Sequence, residues 1–572
     1  MNTPTPLSPT QRFWRLLSPD GRDIRAVYTY SVFSGLVGLS LPLGIQAIVN
    51  LIQGGQVNTA WVVLVVVVVA GILFTGILQI YQLKIVENLQ QKVFSRASFE
   101  FAHRIPRIRM EVMYKHYAPE LMNRFFDIMS VQKGLPKILI DFSTAALQIL
   151  FGLLLLSFYH SFFVFFSIFM VFLVFLVFKL TYSRGLNSSL KESKQKYKVA
   201  HWLEELARTS VTFKLAGSTT LPLAKVNAHV DEYLDARNVH FGVLINQYWL
   251  MVIFKVVVAI GLLAIGGILV MEQQINIGQF VGAEIIVLLV MAAVEKLITS
   301  METIYDVLTG LEKIGQVTDM PLEDHEGIDL NEECNDEGLS IALKNVRFTY
   351  PDGNKEILNN LTLDIKSGEN WVIAGPSGGG KSTLLQIIAG VFDIQDGELS
   401  YNNLPRRNLD LRSVHTVIGE CLAQEQLFEG TVLENINTGR PLATFDNVKW
   451  AVKNIGLNDF IKSLPDGYRT KIDPLGKKLP ASVVQKLLIA RSIADRPKLI
   501  LLENVLDEID PAERNQIVDF LIDQPNWTVI ALSTDEYFAK RADKVAVMVD
   551  GRIVQTGNYT SIKDFLSPKT QV

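Results

Sequence analysis

Residues 60–83 form a long apolar run, almost solid valine from Val62 to Ala70, and five more runs of similar character occur before residue 300. A helix rises ~1.5 Å per residue, so ~20 predominantly apolar residues cross the ~30 Å hydrocarbon layer of a bilayer. The six runs, 26–52, 60–83, 138–159, 162–182, 243–271 and 280–298, are therefore read as membrane spans. Helices buried in a soluble core are the bland alternative, but they rarely recur at this length. Composition agrees: 49% of the 572 residues are hydrophobic, 20% are charged, and mean hydropathy is +0.25. Such apolar content excludes disorder over most of the chain. Two cysteines, Cys334 and Cys421, exclude a disulfide-stapled scaffold. With 54 basic against 58 acidic residues the chain lacks the excess positive charge of a nucleic-acid binder, and no nucleic-acid partner is expected.

Orientation follows from where positive charge sits. Arg12, Arg15, Arg22 and Arg25 precede the first span, and the long connections 84–137 and 183–241 are basic. The short connections 53–59, 160–161 and 272–279 carry no Lys or Arg. Both termini and both long connections are thus expected in the cytoplasm of a multi-pass inner- or plasma-membrane protein. The first apolar run is too long for a signal peptide. Residues 85–102 and 191–206 are rich in helix formers and free of proline, so the spans should continue as helices, turning near Pro106 and Gly217. Residues 12–17 read as a short amphipathic helix on the inner surface or as a disordered tail. Lys255 lies within the fifth span, and Glu284 and Glu295 lie along the sixth. Depth counting places Lys255 and Glu295 at similar levels, which predicts that they pair. The alternative puts Glu295 at the inner interface beside Lys296.

An acidic stretch over 319–337, with Glu323, Asp324, Glu326, Glu332, Glu333 and Asp336, reads as a solvated linker. Beyond it, short β-type runs alternate with helical patterns, the signature of an α/β domain. The expected boundaries are 1–25 for an amino-terminal cytoplasmic segment, 26–317 for the membrane domain, 318–338 for the linker and 339–572 for the α/β domain. The fold class is an α-helical polytopic membrane domain plus an α/β P-loop nucleotide-binding domain.

The chemistry is carried by Gly375-Pro376-Ser377-Gly378-Gly379-Gly380-Lys381-Ser382-Thr383, which follows an apolar strand at 370–374 and opens a helical pattern. Strand, glycine-rich turn and helix are the context that validates G-x-x-x-x-G-K-[ST]. The glycines let backbone amides close around phosphate oxygens, and the helix start adds its dipole. Lys381 supplies a point charge to the terminal phosphates, and the Ser382 hydroxyl suits Mg²⁺. ATP and Mg²⁺ are the expected cofactors.

Six spans followed by a P-loop domain resemble the ABC exporters in their half-transporter arrangement, over nearly the whole chain. Further residues carry the resemblance. Tyr350 sits where the family stacks an aromatic ring on adenine; a strand-end core tyrosine is the alternative. Leu427-Phe428-Glu429-Gly430-Thr431 matches the segment after the family's Q-loop, Ile489-Ala490-Arg491 the helix behind its signature, and Asp510-Pro511 the D-loop end. Asp510 can also cap the following helix, with Glu513 at the third position.

Departures are as informative. Where the family has Leu-Ser-Gly-Gly-Gln, this chain reads Leu479-Pro480-Ala481-Ser482-Val483, and Pro480 removes a donor outright. The strand 499–502 ends on Glu503 in place of the family's aspartate, which keeps a carboxylate for Mg²⁺. The following position, where the family has its catalytic glutamate, is Asn504, whose amide cannot accept a proton at neutral pH. The switch-histidine position is Thr534, and the Q-loop register gives Ala423, with Gln424 one place late. Leu506-Asp507-Glu508 offers a second register for the strand end. The resemblance implies an ATP-binding exporter subunit with no intact catalytic set. It would pair with a second half-transporter, a heterodimer favoured over a homodimer, amid membrane lipid. The alternative is a non-hydrolysing structural or regulatory subunit. Too few residues precede the first span for a peptidase domain, and lipids, peptides, secreted proteins and drugs all stand as exported substrates.

Overall fold

The computed structural model describes residues 7–54, 59–334, 337–423 and 425–566; Asp336, Gln424 and residues 55–58 of the first outer connection lie outside them. The chain separates into two compact units. One combines Met1–Pro106 with His116–Met320, and the other combines Arg107–Lys115 with Pro321–Val572.

In the first unit, six helices among the described residues are long and apolar enough to cross a membrane: Pro9–Gln53, Thr59–Arg107, Ala118–Ser157, Ser161–Arg208, Leu221–Met271 and Ile277–Thr318. Five of them contain one of the six runs whole, and the run 138–159 extends two residues past the end of Ala118–Ser157. Thr59–Arg104 and Ser161–Arg208 are uninterrupted α-helices of 46 and 48 residues. At ~1.5 Å per residue each extends about 70 Å, far beyond the hydrocarbon layer. The chain turns through Ile105–Arg107 and again at Gly217, whose φ of 66° is left-handed. The first span is interrupted at Leu39, between Gly21–Gly38 and Ser40–Gln53, because Pro42 has no N–H to donate back to that turn.

The amino-terminal helix Pro9–Leu17 is ordered and docked, not a disordered tail. Ser8 and Gln11 form a capping box at its start, Phe13 and Leu17 are buried, and Arg12 reaches Asp319 at 2.9 Å and Glu312 at 3.7 Å. Several polar groups between the spans find partners. Gln82 Nε2 donates to Ser31 Oγ at 2.8 Å and to the Val27 carbonyl at 3.1 Å, and Ser31 lies 3.2 Å from Ser143 Oγ. Leaving such groups unpaired in hydrocarbon costs several kcal/mol each, about the scale of a whole span's preference.

Lys255 Nζ lies 2.7 Å from Glu295 Oε2, the pairing expected from depth. Lys296 turns instead to Asp141, at 2.8 Å. A charge reversal at either member of the first pair strands two like charges at membrane depth. Lys255→Glu and Glu295→Lys should each lower the folded yield several-fold, since ~1–2 kcal/mol suffices for that. The double reversal should recover most of it by fluorescence-detected gel filtration. Absence of rescue would remove the pair's role.

The second unit contains twelve strands among the described residues: β1 (Ile341–Phe348), β2 (Leu358–Ile365), β3 (Asn370–Ala374), β4 (Asp396–Tyr401), β5 (Leu404–Pro405), β6 (Ile418–Cys421), β7 (Gly430–Thr431), β8 (Lys471–Ile472), β9 (Leu499–Glu503), β10 (Thr528–Leu532), β11 (Lys544–Val549) and β12 (Arg552–Gly557). A six-stranded sheet runs β12-β11-β3-β10-β9-β6, parallel except for β12 at its edge. Strands β3, β9 and β10 are buried along their whole lengths, as expected where both faces are covered. An antiparallel sheet, β2-β1-β4-β5, shares a core with one face of the six-stranded sheet, while β7 and β8 pair separately.

The acidic stretch is not simply a solvated linker. Leu330 is fully buried and its N–H donates to Ser413 Oγ, Ile328 bridges Leu409, and Glu323 N–H donates to the Arg107 carbonyl. Its charged side chains disguise a backbone and a leucine that belong to the domain core.

Candidate functional site

Parallel pairing fixes where the conspicuous residues meet. Leu532 lies opposite both Ile373 and Glu503, and Leu502 lies opposite Cys421. The carboxyl ends of β3, β10, β9 and β6 therefore share one edge of the sheet, the edge where open parallel sheets bind ligands. The glycine-rich loop leaves β3 there, Ala423 follows β6, Glu503 and Asn504 end β9, and Thr534 follows β10.

The loop closes tightly because two of its turns exclude a side chain. Gly375 has φ 140°, and a Cβ there would stand 2.1 Å from the Met548 carbonyl oxygen. Gly380 has φ 91°, with the Ile357 carbonyl 2.9 Å from where a Cβ would be. Pro376, Ser377, Gly378 and Gly379 complete the turn. Lys381 opens the helix Lys381–Ile388, and its Nζ donates to the Gly375 and Pro376 carbonyls at 2.9 and 2.7 Å. Burial lowers the Lys381 pKa, and the nearby Glu503 carboxylate opposes that shift. Ser382 follows on the first turn. Thr383 is buried and its Oγ1 lies 2.9 Å from the Tyr350 hydroxyl.

Glu503 is the last residue of β9 and only 5% exposed; its Oε2 accepts the Ala423 N–H at 3.1 Å. The strand therefore ends on Glu503, and Leu506-Asp507-Glu508 falls in the turn beyond it, with Asp507 and Glu508 exposed. Asn504 takes φ 50°, donates its N–H to the Leu532 carbonyl at 3.0 Å and is exposed at the edge. Thr534 is exposed as well; the next residue, Asp535, caps the helix Glu536–Arg541 and pairs with Arg514 at 3.1 Å.

The other sequence-flagged residues lie on neighbouring helices. Pro480 is the N-cap of Ala481–Ile493, and its carbonyl accepts the amides of Val483 and Val484 at 3.0 and 3.1 Å. Asp510 caps Pro511–Ile522 through the Ala512 N–H at 2.9 Å. Glu513 does not close that cap; it pairs with buried Lys486 at 2.7 Å, which a lysine in that setting requires. Arg491 anchors the segment after β6 by donating to the Asn435 and Gln426 carbonyls at 2.7 and 3.2 Å.

Two features escaped the sequence reading. The first is Glu420 in β6, where burial and the neighbouring Glu425 carboxylate push the pKa up to about 7. The folded state keeps this proton above the pH at which an unfolded glutamate, near 4.3, loses it. Stability from this group is therefore present at low pH and lost as pH rises from about 4.3 to 7. Glu420→Gln should raise the unfolding free energy at pH 8 by about 1–3 kcal/mol and change little at about pH 4, below both pKa values. Thermal unfolding at both pH values checks this, and an equal effect at each would contradict it.

The second feature is Arg107–Lys115, which belongs to this unit although it follows a membrane helix in sequence. Ile108 bridges Leu322, Arg109 pairs with Asp393 at 3.0 Å, and Lys115 pairs with Asp352 at 3.4 Å. Tyr114 stacks on Tyr350. The only local signal is charged residues alternating with apolar ones just after Pro106.

A parallel sheet with a phosphate-type glycine loop at its carboxyl edge, joined to six membrane helices, defines a membrane protein of the P-loop nucleotide-binding class. The sequence matches the ABC transporter transmembrane region over residues 26–294 and the ABC transporter family over residues 358–507. The chain belongs to the ABC transporters, in the exporter half-transporter arrangement of one six-helix region and one nucleotide-binding domain. It is 32% identical over 40% of its length to a candidate multidrug export ATP-binding/permease protein of Bacillus subtilis (strain 168), covering 39% of that protein. It is 30% identical over 55% of its length to the leukotoxin translocation ATP-binding protein LktB of Mannheimia glucosida, covering 44% of it. The matched regions thus span less than half of these relatives. The solved structure of a bacterial Atm1-family ABC exporter with ATP bound shares the fold, with a TM-score of 0.84 over 96% of each chain at 18% identity.

Proposed function

We propose that this chain is the ATP-binding half of an exporter whose own hydrolytic site is impaired. The observation that carries it is the shared sheet edge, where the closed glycine loop meets the buried Glu503 carboxylate beside Asn504 and Thr534. Backbone amides of residues 375–380 and the Lys381 ammonium would hold the phosphates, with Tyr350 as the platform for the base. Ser382 and Glu503 would hold Mg²⁺, which neutralises phosphate charge when bound. A P-loop magnesium site needs just one or two protein ligands.

Asn504, Thr534, Ala423 and Pro480 supply neither a proton acceptor nor the signature's donors, so bound ATP is held longer than it is cleaved. The Lys/Arg asymmetry supports cytoplasmic termini and a cytoplasmic nucleotide-binding domain in an inner or plasma membrane. The partner is a second half-transporter carrying the residues this chain lacks. The exported substrate belongs to the classes handled by such exporters, lipids, peptides, proteins or drugs.

The test is equilibrium binding of ATP with Mg²⁺ to the purified chain. Lys381→Ala should weaken it about 10- to 150-fold, the worth of a charge-assisted hydrogen bond. Unchanged affinity would place the nucleotide elsewhere.

A further inference from the structure

Tyr114 and Tyr350 lie ring over ring, centroids 5.0 Å apart and planes 15° from parallel. Both partners of this stack are fixed. The Tyr350 hydroxyl is 2.9 Å from Thr383 Oγ1 and donates to Gln386 Oε1 at 3.1 Å, both on the helix that Lys381 opens. Phe348 and Phe392 stand nearly perpendicular to its ring, at 5.1 and 5.4 Å. Tyr114 is held by its own segment: Arg109 pairs with Asp393, and the Glu111 carboxylate accepts the Asp393 N–H at 2.9 Å. Tyr114 is nonetheless 50% exposed, its only other ring contact among the described residues being edge-on to Phe392 at 5.9 Å.

A base stacks on a tyrosine by laying its plane parallel to one face of the ring, the geometry Tyr114 already adopts. We propose that Tyr114 is a built-in stand-in for the nucleotide base, covering the face of Tyr350 that the base requires. This rests on the reading of Tyr350 as the base platform. Base and segment 107–115 then compete for one ring. The phosphate chain enters the glycine loop without disturbing the stack, whereas seating the base lifts Tyr114. ATP binding thereby loosens a segment that leads directly into two membrane helices in the sequence.

An aromatic pair of this kind is worth a factor of about 2–12 in an equilibrium constant. The experiment compares ATP with inorganic tripolyphosphate, each with Mg²⁺, on the full chain in detergent. Tyr114→Ala should tighten ATP about 2- to 12-fold and leave tripolyphosphate unchanged, while Tyr114→Phe, which keeps the stack, should behave as wild type. In the unmutated chain, ATP but not tripolyphosphate should raise hydrogen exchange at the amides of residues 109–115. Tyr114→Ala binding ATP no better than wild type, or exchange in 109–115 unmoved by ATP, would overturn the proposal. A wild-type chain that binds neither ligand would instead remove the nucleotide-site reading beneath it.

Discussion

The purified chain should retain ATP with Mg²⁺ yet hydrolyse it about 10²–10⁴-fold more slowly than an exporter with a glutamate in the place of Asn504, the usual cost of losing a general base. The phosphate loop supports retention, because Gly375 and Gly380 close it in conformations that other residues would strain. Turnover needs more. Asn504 stands at the exposed sheet edge where a base would work, but its amide takes no proton at neutral pH. Thr534, at the end of β10, has no imidazole to reach a terminal phosphate. Asn504→Glu alone should recover less than about tenfold, a small part of that deficit, because Pro480 and Ala481 still occupy the signature in any self-paired dimer. Single-turnover assays with radiolabelled ATP separate retention from cleavage. Robust steady-state hydrolysis by the unmutated chain would overturn this account.

The legible parts of the molecule are those with strong local signals. Each span was readable because ~20 apolar residues in sequence satisfy a bilayer by themselves. The glycine loop was readable because strand, turn and helix are contiguous. The Lys255–Glu295 pair followed from counting rise along two helices, and the structure forms it. What the sequence hid depends on distant partners. Segment 107–115 reads as part of a membrane connection until Asp352 and Asp393 are placed beside it. Glu513 looked like a capping residue because its rival Lys486 lies 27 positions away. Leu330 was lost among acidic neighbours, and nothing local marks Glu420 as a half-buried carboxylate beside Glu425. The strand register also needed three dimensions. Leu506-Asp507-Glu508 offers a second strand end, but it would bury Glu503 and Asn504 inside the strand and separate Asp510 from its D-loop place, and the pairing with β10 puts the end at Glu503.

Gentle solubilisation and affinity purification from the native host should recover a second half-transporter with this chain, and the pair should hydrolyse ATP well above the single chain. The two halves would complement each other's defects. In a self-pair, each composite site would join a loop lacking its base to a signature with Pro480 in place of serine. A partner with a full set changes this unevenly. This chain's loop would face a good signature but keep Asn504, while the partner's loop and base would face Leu479–Val483. Hydrolysis in the pair should therefore depend on the partner's own glutamate, and removing that residue should cost about 10²–10⁴-fold. Lys381→Ala in this chain should cost less than that if, as proposed, its ATP would serve mainly to keep the two halves closed. Recovery of this polypeptide alone, with export still lost on Lys381→Ala, would mean that a self-pair drives transport and that the departures at Pro480 and Asn504 are tolerated by a different chemistry.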